Sequence, residues 1–266
     1  IVLDWIFIFP LEMGVKGAAI ASAIACGVGG LMSLVYFILF SSSLRFYRLK
    51  MSSTSFFLTL RNLWNMARIG SATFLTEIAM SITILIGNYQ FMALLHEEGV
   101  AAYAVVCYLF PVIFSVNNAV AQAAQPIISY NYGAKQKVRV SQTLRVSLLT
   151  AITCGFCVML TLILGDEWIV EMFLRPNENA YNIATEGLPW FSACSIFFAI
   201  NVAFVGYYQS VACAGRAMSY TLLRGIVFPV IAFELLPMVI GTIGLWLAIP
   251  VAEAATLLVI VLKKTL

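Results

Sequence analysis

Residues 100–128 read VAAYAVVCYLFPVIFSVNNAVAQAAQPII, twenty-nine positions without one Asp, Glu, Lys, Arg or His. As a helix the segment is about 44 Å long, more than the ~30 Å of a bilayer's hydrocarbon. Its polar residues are ordered. Ser115, Asn118, Gln122, Gln125 and Ser129 follow at intervals of three, four, three and four, with Asn117 alongside. That spacing is one face of a helix. An apolar helix with one amide stripe either packs that stripe against other helices or lines a polar cavity.

The rest of the 266 residues agrees. The apolar set makes up 62% of the chain, charged residues 10%, and the mean hydropathy is +0.97. Soluble domains are near half apolar and a quarter charged, so a soluble globule, disorder, collagen and a disulfide scaffold are all excluded. The fold class is all-α, a polytopic membrane helical bundle. A net charge of +3 is too small to point to nucleic acid. Long apolar runs cover residues 15–40, 68–94, 100–128, 143–165, 183–213, 218–240 and 243–262, seven full spans. Before them, Ile1–Pro10 is apolar with no basic n-region and no small-residue cleavage site. It reads as the end of a further span, not a signal peptide, and the expectation is a piece of a longer protein.

The loops alternate in charge. Arg45, Arg48, Lys50, Arg61 and Arg68 precede a loop with His96, Glu97 and Glu98. Lys135, Lys137, Arg139 and Arg145 precede Asp166, Glu167, Glu171 and Glu178, which face one Arg175. Arg216, with Arg224 just beyond, is followed by the uncharged Gly241–Gly244 turn, and Lys263 and Lys264 close the chain. Thirteen of 15 Lys and Arg are expected on one side, which is therefore cytoplasmic and holds the C-terminus. Seven acids fall in outer loops. Asp4, Glu77, Glu186, Glu234 and Glu253 remain in or near the membrane.

Glu77 lies nine residues past Arg68, about 14 Å along a helix and so near mid-bilayer, and Glu253 is similarly deep. A carboxylate at that depth faces protein or a wet cavity. Thr73, Glu77, Ser81 and Asn88 share an arc of about 80°. Phe197, Asn201, Phe204 and Tyr208 share a face in the 183–213 run, which suits either a wall for a flat or cationic ligand or ordinary aromatic packing. Thr143, Ser147, Thr150, Cys154, Cys157 and Thr161 form a small-residue stripe that reads as close helix packing. Cys154-x-x-Cys157 has no companion pair and no His, so neither a metal nor a redox site is expected, and all six cysteines read as small hydrophobes. Pro111, Pro126, Pro189, Pro229 and Pro250 add five bends to four runs, a feature of helices that rock between states and also of static bundles.

One pattern occurs twice. Gly14-x-x-Gly17-x-x-x-Ala21-x-x-x-Ala25 returns 227 residues later as Gly241-x-x-Gly244-x-x-x-Ala248-x-x-x-Ala252. The offset spans a block of helices of the same handedness, as a parallel internal repeat would.

Enzymatic signatures are missing. One histidine cannot form a zinc pair, and there is no H-E-x-x-H, P-loop, G-x-G-x-x-G after a strand or G-x-S-x-G. No catalytic residue is assigned and no enzyme is expected. Alternating-access transport is the reading that uses the deep acids, polar stripes and prolines together.

These residues resemble a family. Gly99-Val-Ala-Ala-Tyr103 with Gln122-Ala-Ala-Gln-Pro-Ile-Ile-Ser-Tyr-Asn-Tyr-Gly-Ala134 is similar to the C-terminal half of a MATE (multidrug and toxic compound extrusion) transporter, nearest its bacterial branch. Leu3-Asp4, Met13-Gly14, Gly206-Tyr-x-Gln209, Leu223-Arg-Gly225 and the Gly241–Glu253 segment support it. The resemblance implies twelve helices in two six-helix lobes with a substrate cleft between them. Residues 1–40 would be the end of helix five and helix six, 41–67 a basic cytoplasmic linker between the lobes, and 68–266 the C-lobe. The partner of that lobe would be an N-terminal lobe of the same chain.

The implied activity is export of cationic or amphipathic drugs in exchange for Na⁺ or H⁺, with no cofactor, from a bacterial plasma membrane in contact with lipid. Carried over, Glu77 is the ion-coupling residue. Some members pair it with a helix-ten acid, and here Asn201 takes that place. A neutral amide carries no proton but offers a carbonyl oxygen to Na⁺. The cleft would take Ser81, Asn88, Asn118, Gln122, Gln125, Phe197, Phe204 and Tyr208, with hinges at Pro126, Pro229 and Pro250. Two alternatives stand beside this one. A lipid-linked glycan flippase of the same superfamily would have a more basic cavity, whereas intramembrane Lys and Arg are expected to be absent here. A membrane scaffold would need neither Glu77 nor the Ser115–Ser129 stripe.

Overall fold

The computed structural model describes residues 2–40 and 52–265. Arg45, Arg48 and Lys50 lie outside the described residues, as do the side chains of Asp4, Thr73 and Lys264. Among the described residues all regular structure is helical. Two units form, Ile1–Leu60 and Arg61–Leu266.

In the first unit, α1 (Val2–Ile8) turns back through Glu12 and Gly14, both with positive φ, into α2 (Gly14–Leu39). Helix α2 buries Gly17 and Ala21 and exposes most of its remaining side chains.

In the second unit the apolar stretch Phe74–Gly133 lies within one assigned helix, α3 (Ser53–Gly133). Sixty residues of straight helix would be about 90 Å long, three times the hydrocarbon thickness. The helix instead breaks at His96, whose φ of 56° and ψ of −150° are not helical. The halves on either side lie together. Phe91 stacks on Tyr103 at 4.5 Å, and a Cβ on Gly87 would collide with the Tyr103 ring. The Asn88 amide also reaches Cys107 Sγ at 4.0 Å.

After Lys135, with its φ of 58°, come α4 (Lys137–Leu164) and the short α5 (Asp166–Glu171). Helices α6 (Asn179–Ser192) and α7 (Cys194–Ser210) meet at 43° and are together long and apolar enough for one bent span. A turn at Ala212, φ 57°, leads to α8 (Ala214–Leu222). A π-helical turn (Leu223–Val227) joins α8 to α9 (Phe228–Ile240), and Gly241 turns the chain into α10 (Thr242–Thr265). Among the described residues five helices are long and apolar enough to cross a membrane, six with the bent pair. The fold-back at His96 divides the longest into two spans.

Apolar side chains gain little by leaving lipid, so packing quality holds such a bundle together. The core is accordingly aromatic and close-set. Phe91 meets Trp246 edge-on at 5.1 Å, and Phe110 meets Phe198 at 5.4 Å. The buried face of α4 holds Ser147, Ala151 and Gly155, whereas Thr150, Cys157 and Thr161 of the expected small-residue stripe are exposed. A Cβ on Gly155 would come within 2.8 Å of Ser195 O, so α4 and α7 touch backbone to backbone. The described cysteines are free thiols.

One expected placement is overturned. Arg224, grouped with Arg216 by the loop charges, is 6% exposed inside the bundle. An intramembrane arginine is therefore present. The sequence distance of eight residues from Arg216 is more than two helical turns, enough to carry a side chain from a loop to mid-span.

Candidate functional site

Arg224 and Glu253 are the only charged side chains buried among the described residues. Arg224 is ten residues into the span Ala214–Ile240, and Glu253 eleven residues into Thr242–Lys263. Each is therefore about 15 Å deep, at mid-membrane. Arg224 Nε at 3.2 Å and Nη2 at 3.0 Å both donate to Glu253 Oε1. Asn201 Nδ2 donates to Oε2 at 2.7 Å and to the Glu253 backbone oxygen at 2.9 Å. The guanidinium also lies over the Phe198 ring, 4.2 Å from its centroid. Every unit of charge is thus met by a hydrogen bond or a ring face, as a charge away from water requires.

The backbone around Arg224 is specialised. Pro229 follows the π turn, and having no N–H it cannot serve as the helical donor to Gly225 O four residues back. Thr83 Oγ1 of α3 is within donating distance of that oxygen at 2.9 Å, and its one hydrogen is shared with Ala79 O at 3.0 Å. A Cβ on Gly225 would strike Ala79 Cβ, so the π turn lies directly on α3. π-turns inside helices recur at functional sites because the extra residue re-aims the side chains around it.

Two cavities adjoin the pair. The smaller, about 30 Å³, is lined by Thr76, Thr83, Phe110, Thr221, Arg224 and Glu253 among others. The larger, about 260 Å³, is lined by Asn118, Gln122, Gln125, Gln209, Gly206 and Arg224 among others. Thr76, Phe114 and Arg224 belong to both. Gln125 Nε2 donates to Gln209 Oε1 across the larger cavity at 3.0 Å. Near the pair, two buried polar atoms have no hydrogen-bond partner, Asn201 Oδ1 and Thr221 Oγ1. Among the described residues no three His, Cys, Asp or Glu side chains gather as a metal site.

A MatE family model matches residues 71–233. The chain belongs to the MatE family. It is 28% identical over 176 residues to the multidrug export protein MepA of Staphylococcus haemolyticus, covering 65% of this chain and 37% of that one. To MepA of Staphylococcus saprophyticus it is 26% identical over 275 residues, 100% of this chain and 58% of the relative. The MatE chain thus spans about half the length of these relatives. Among solved structures, an outward-facing multidrug resistance MATE transporter of the MOP superfamily superposes with a TM-score of 0.86 at 18% identity, over 97% of this chain and 57% of that one. The Vibrio cholerae MATE transporter VcmN does so with a TM-score of 0.80 at 21% identity, over 97% and 57%. The MatE chain is a multi-pass membrane protein with this transporter fold.

The structure does not bring the expected site residues of the MatE chain together in one place. Asn118, Gln122 and Gln125 line the larger cavity together. Asn201 is wholly buried on Glu253, whereas the Glu77 side chain is exposed. Ser81 is exposed, with its hydroxyl on Glu77 O, and Asn88 is half-buried on Ile84 O. Phe204 and Tyr208 are in the buried core, and Phe197 is half-buried. Pro229 and Pro250 are buried and Pro126 is exposed. Sequence reasoning missed Arg224, Thr221 and Gln209. The signal was available for Arg224, which stands six residues inside the 218–240 apolar run.

Proposed function

We propose that this chain forms one lobe of a multidrug exporter that moves cationic or amphipathic compounds across a bacterial plasma membrane in exchange for Na⁺ or H⁺. One observation carries the reading, a 260 Å³ cavity walled by the amides of Asn118, Gln122, Gln125 and Gln209. Amide walls hydrogen-bond many ligand shapes without demanding one charge, and Phe114 offers a flat apolar face. The MepA relatives support small-molecule substrates. The excess of Lys and Arg in alternate loops supports a cytoplasmic C-terminus.

Glu77 is proposed as the ion-coupling residue. Coupling requires that ion and drug prefer different conformations of the whole transporter, and an exposed carboxylate within a span has access to an ion. The test is ethidium efflux from cells expressing the full-length protein. Glu77→Gln should abolish ion-driven efflux, and undiminished efflux would remove Glu77 from the mechanism.

Arg224 on the cavity wall raises the flippase reading above a scaffold. Glu253 neutralises that arginine, so the wall is not net basic, and the exporter reading remains the stronger. Reconstituted protein that scrambles a lipid-linked glycan and leaves ethidium in place would reverse that order.

A further inference from the structure

We infer that Arg216 and Lys263 form a binding site for the phosphate of an anionic phospholipid, at the end of the bundle opposite the Gly241 turn. The inference goes beyond the transporter reading and does not depend on what the chain exports.

The site is a cavity of about 350 Å³ lined by Gly215, Arg216, Ser219, Tyr220 and Lys263. Two helices supply it. Arg216 and Ser219 are about one turn apart on α8, and Lys263 is in the last turn of α10. Tyr220 is buried and forms the inner wall. Gly215 has nothing within 4 Å of the place a Cβ would take, so that side of the cavity is open.

Nothing inside the protein answers the two charges. Arg216 and Lys263 are exposed, and neither makes an ion pair or a side-chain hydrogen bond among the described residues, where Arg224 has Glu253. The Arg216 guanidinium rests over the Tyr208 ring, 5.7 Å from its centroid, and Tyr208 is set against Tyr220 at 5.4 Å. A ring face holds a cation without using any of its N–H donors. The guanidinium is therefore positioned with its donors unspent. Ser219 Oγ donates to Gly215 O at 2.9 Å, so the cations are the donors that remain.

The neighbouring sequence brings no acid. Residues 134–142, 210–218 and 258–266 hold six Lys and Arg and no Asp or Glu. Ser129 Oγ donates to Ser210 O at 3.2 Å, which brings the end of α3, and the Lys135–Lys137 turn after it, to the same end of the bundle. Two like charges around one cavity repel, and an anion between them turns repulsion into attraction.

Depth identifies the source of that anion. Arg216 is two residues past the start of the span Ala214–Ile240, and Lys263 is the last residue of Thr242–Lys263. Both are where hydrocarbon gives way to lipid headgroups. A phospholipid's phosphate lies at that level, and basic pockets between helix ends are suited to it. The guanidinium matches two phosphate oxygens at once, and the ammonium adds a point charge. Along α10, Val251 and Leu258 are exposed, seven residues apart and so on one face. Acyl chains can lie along that strip, for which a free phosphate ion has no use.

The experiment is native mass spectrometry of the full-length protein in detergent, with equimolar phosphatidylglycerol and phosphatidylcholine of the same acyl chains. Both lipids have a phosphate, but the choline ammonium offsets its charge, so phosphatidylglycerol should be retained about tenfold over phosphatidylcholine. Arg216→Gln/Lys263→Gln should abolish the preference. Both residues are exposed, so this variant should fold, and unchanged thermal unfolding checks that it does. Lys135→Gln/Lys137→Gln removes the same charge from the neighbouring turn and should keep the preference. Glycerol phosphate, a phosphate headgroup without chains, should not displace the lipid when added in excess. Equal retention of the two lipids, a preference that survives in Arg216→Gln/Lys263→Gln, or an equal loss in Lys135→Gln/Lys137→Gln each overturns the inference. Displacement by glycerol phosphate overturns the lipid as the source and assigns the site to a soluble phosphate. Ethidium efflux by the same protein reports on the transporter reading separately.

Discussion

Two hairpins in this chain carry the same four small residues at the same spacing and differ at the positions between and just after them. At Gly14 and at Gly241 the backbone has positive φ, 52° and 64°. Three residues on, Gly17 and Gly244 each lie against the preceding helix. A Cβ there would come within 2.8 Å of Phe7 O in one hairpin and 2.5 Å of Leu236 O in the other. Ala21 and Ala248 are buried in turn. One position past the last alanine the copies diverge, with exposed Cys26 in the first and buried Glu253 in the second. Gly14, Gly17 and Ala21 and their counterparts Gly241, Gly244 and Ala248 are therefore a folding device common to both, whereas Ala25 is exposed and Ala252 buried. The second copy carries a buried charge at the next position.

The largest test of that contrast is to remove the residue after the last alanine from each copy. Glu253→Ala leaves Arg224 buried without its counter-ion and should cost about 3–5 kcal/mol of stability, whereas Cys26→Ala should stay within about 0.5 kcal/mol. Thermal unfolding in detergent, followed by tryptophan fluorescence, reads both. A mild Glu253→Ala would mean that Arg224 finds water or another acceptor, and the pair would no longer count as a closed unit.

A smaller and symmetric loss is expected at the packed glycines. Gly17→Ala and Gly244→Ala each push a methyl into backbone that cannot rotate away, for about 1–3 kcal/mol apiece. Unequal losses would show that the two hairpins only look alike. Smallest are the turn glycines. Gly14 and Gly241 have nothing within 4 Å of a new Cβ, so Gly14→Ala and Gly241→Ala carry the left-handed φ penalty alone, about 1–2 kcal/mol.

The sequence was explicit about the fold wherever the fold depends on amounts and periods. The length of the apolar runs placed the spans, and the three-four spacing of Asn118, Gln122 and Gln125 put them on one wall. The glycine echo carried its own geometry. It was silent where the site depends on partners from distant segments. Arg224 and Glu253 are 29 residues apart and meet only because α9 and α10 fold back at Gly241. Asn201 approaches them from a third helix. No local pattern marks such a meeting. Loop-charge counting even drew Arg224 the wrong way, because a basic residue near a loop and one inside a span read alike until the helix ends are known.

The bond from Thr83 to Gly225 O has a consequence for inheritance. Proline at 229 leaves the helix of Arg224 without one of its own backbone donors, and a hydroxyl 142 positions before Gly225 is in reach of the oxygen left over. The two residues are therefore one character written in two places. A lineage that replaced Pro229 with a residue bearing an N–H would be free to drop the threonine, and one that lost Thr83 first would be pressed to abandon the proline.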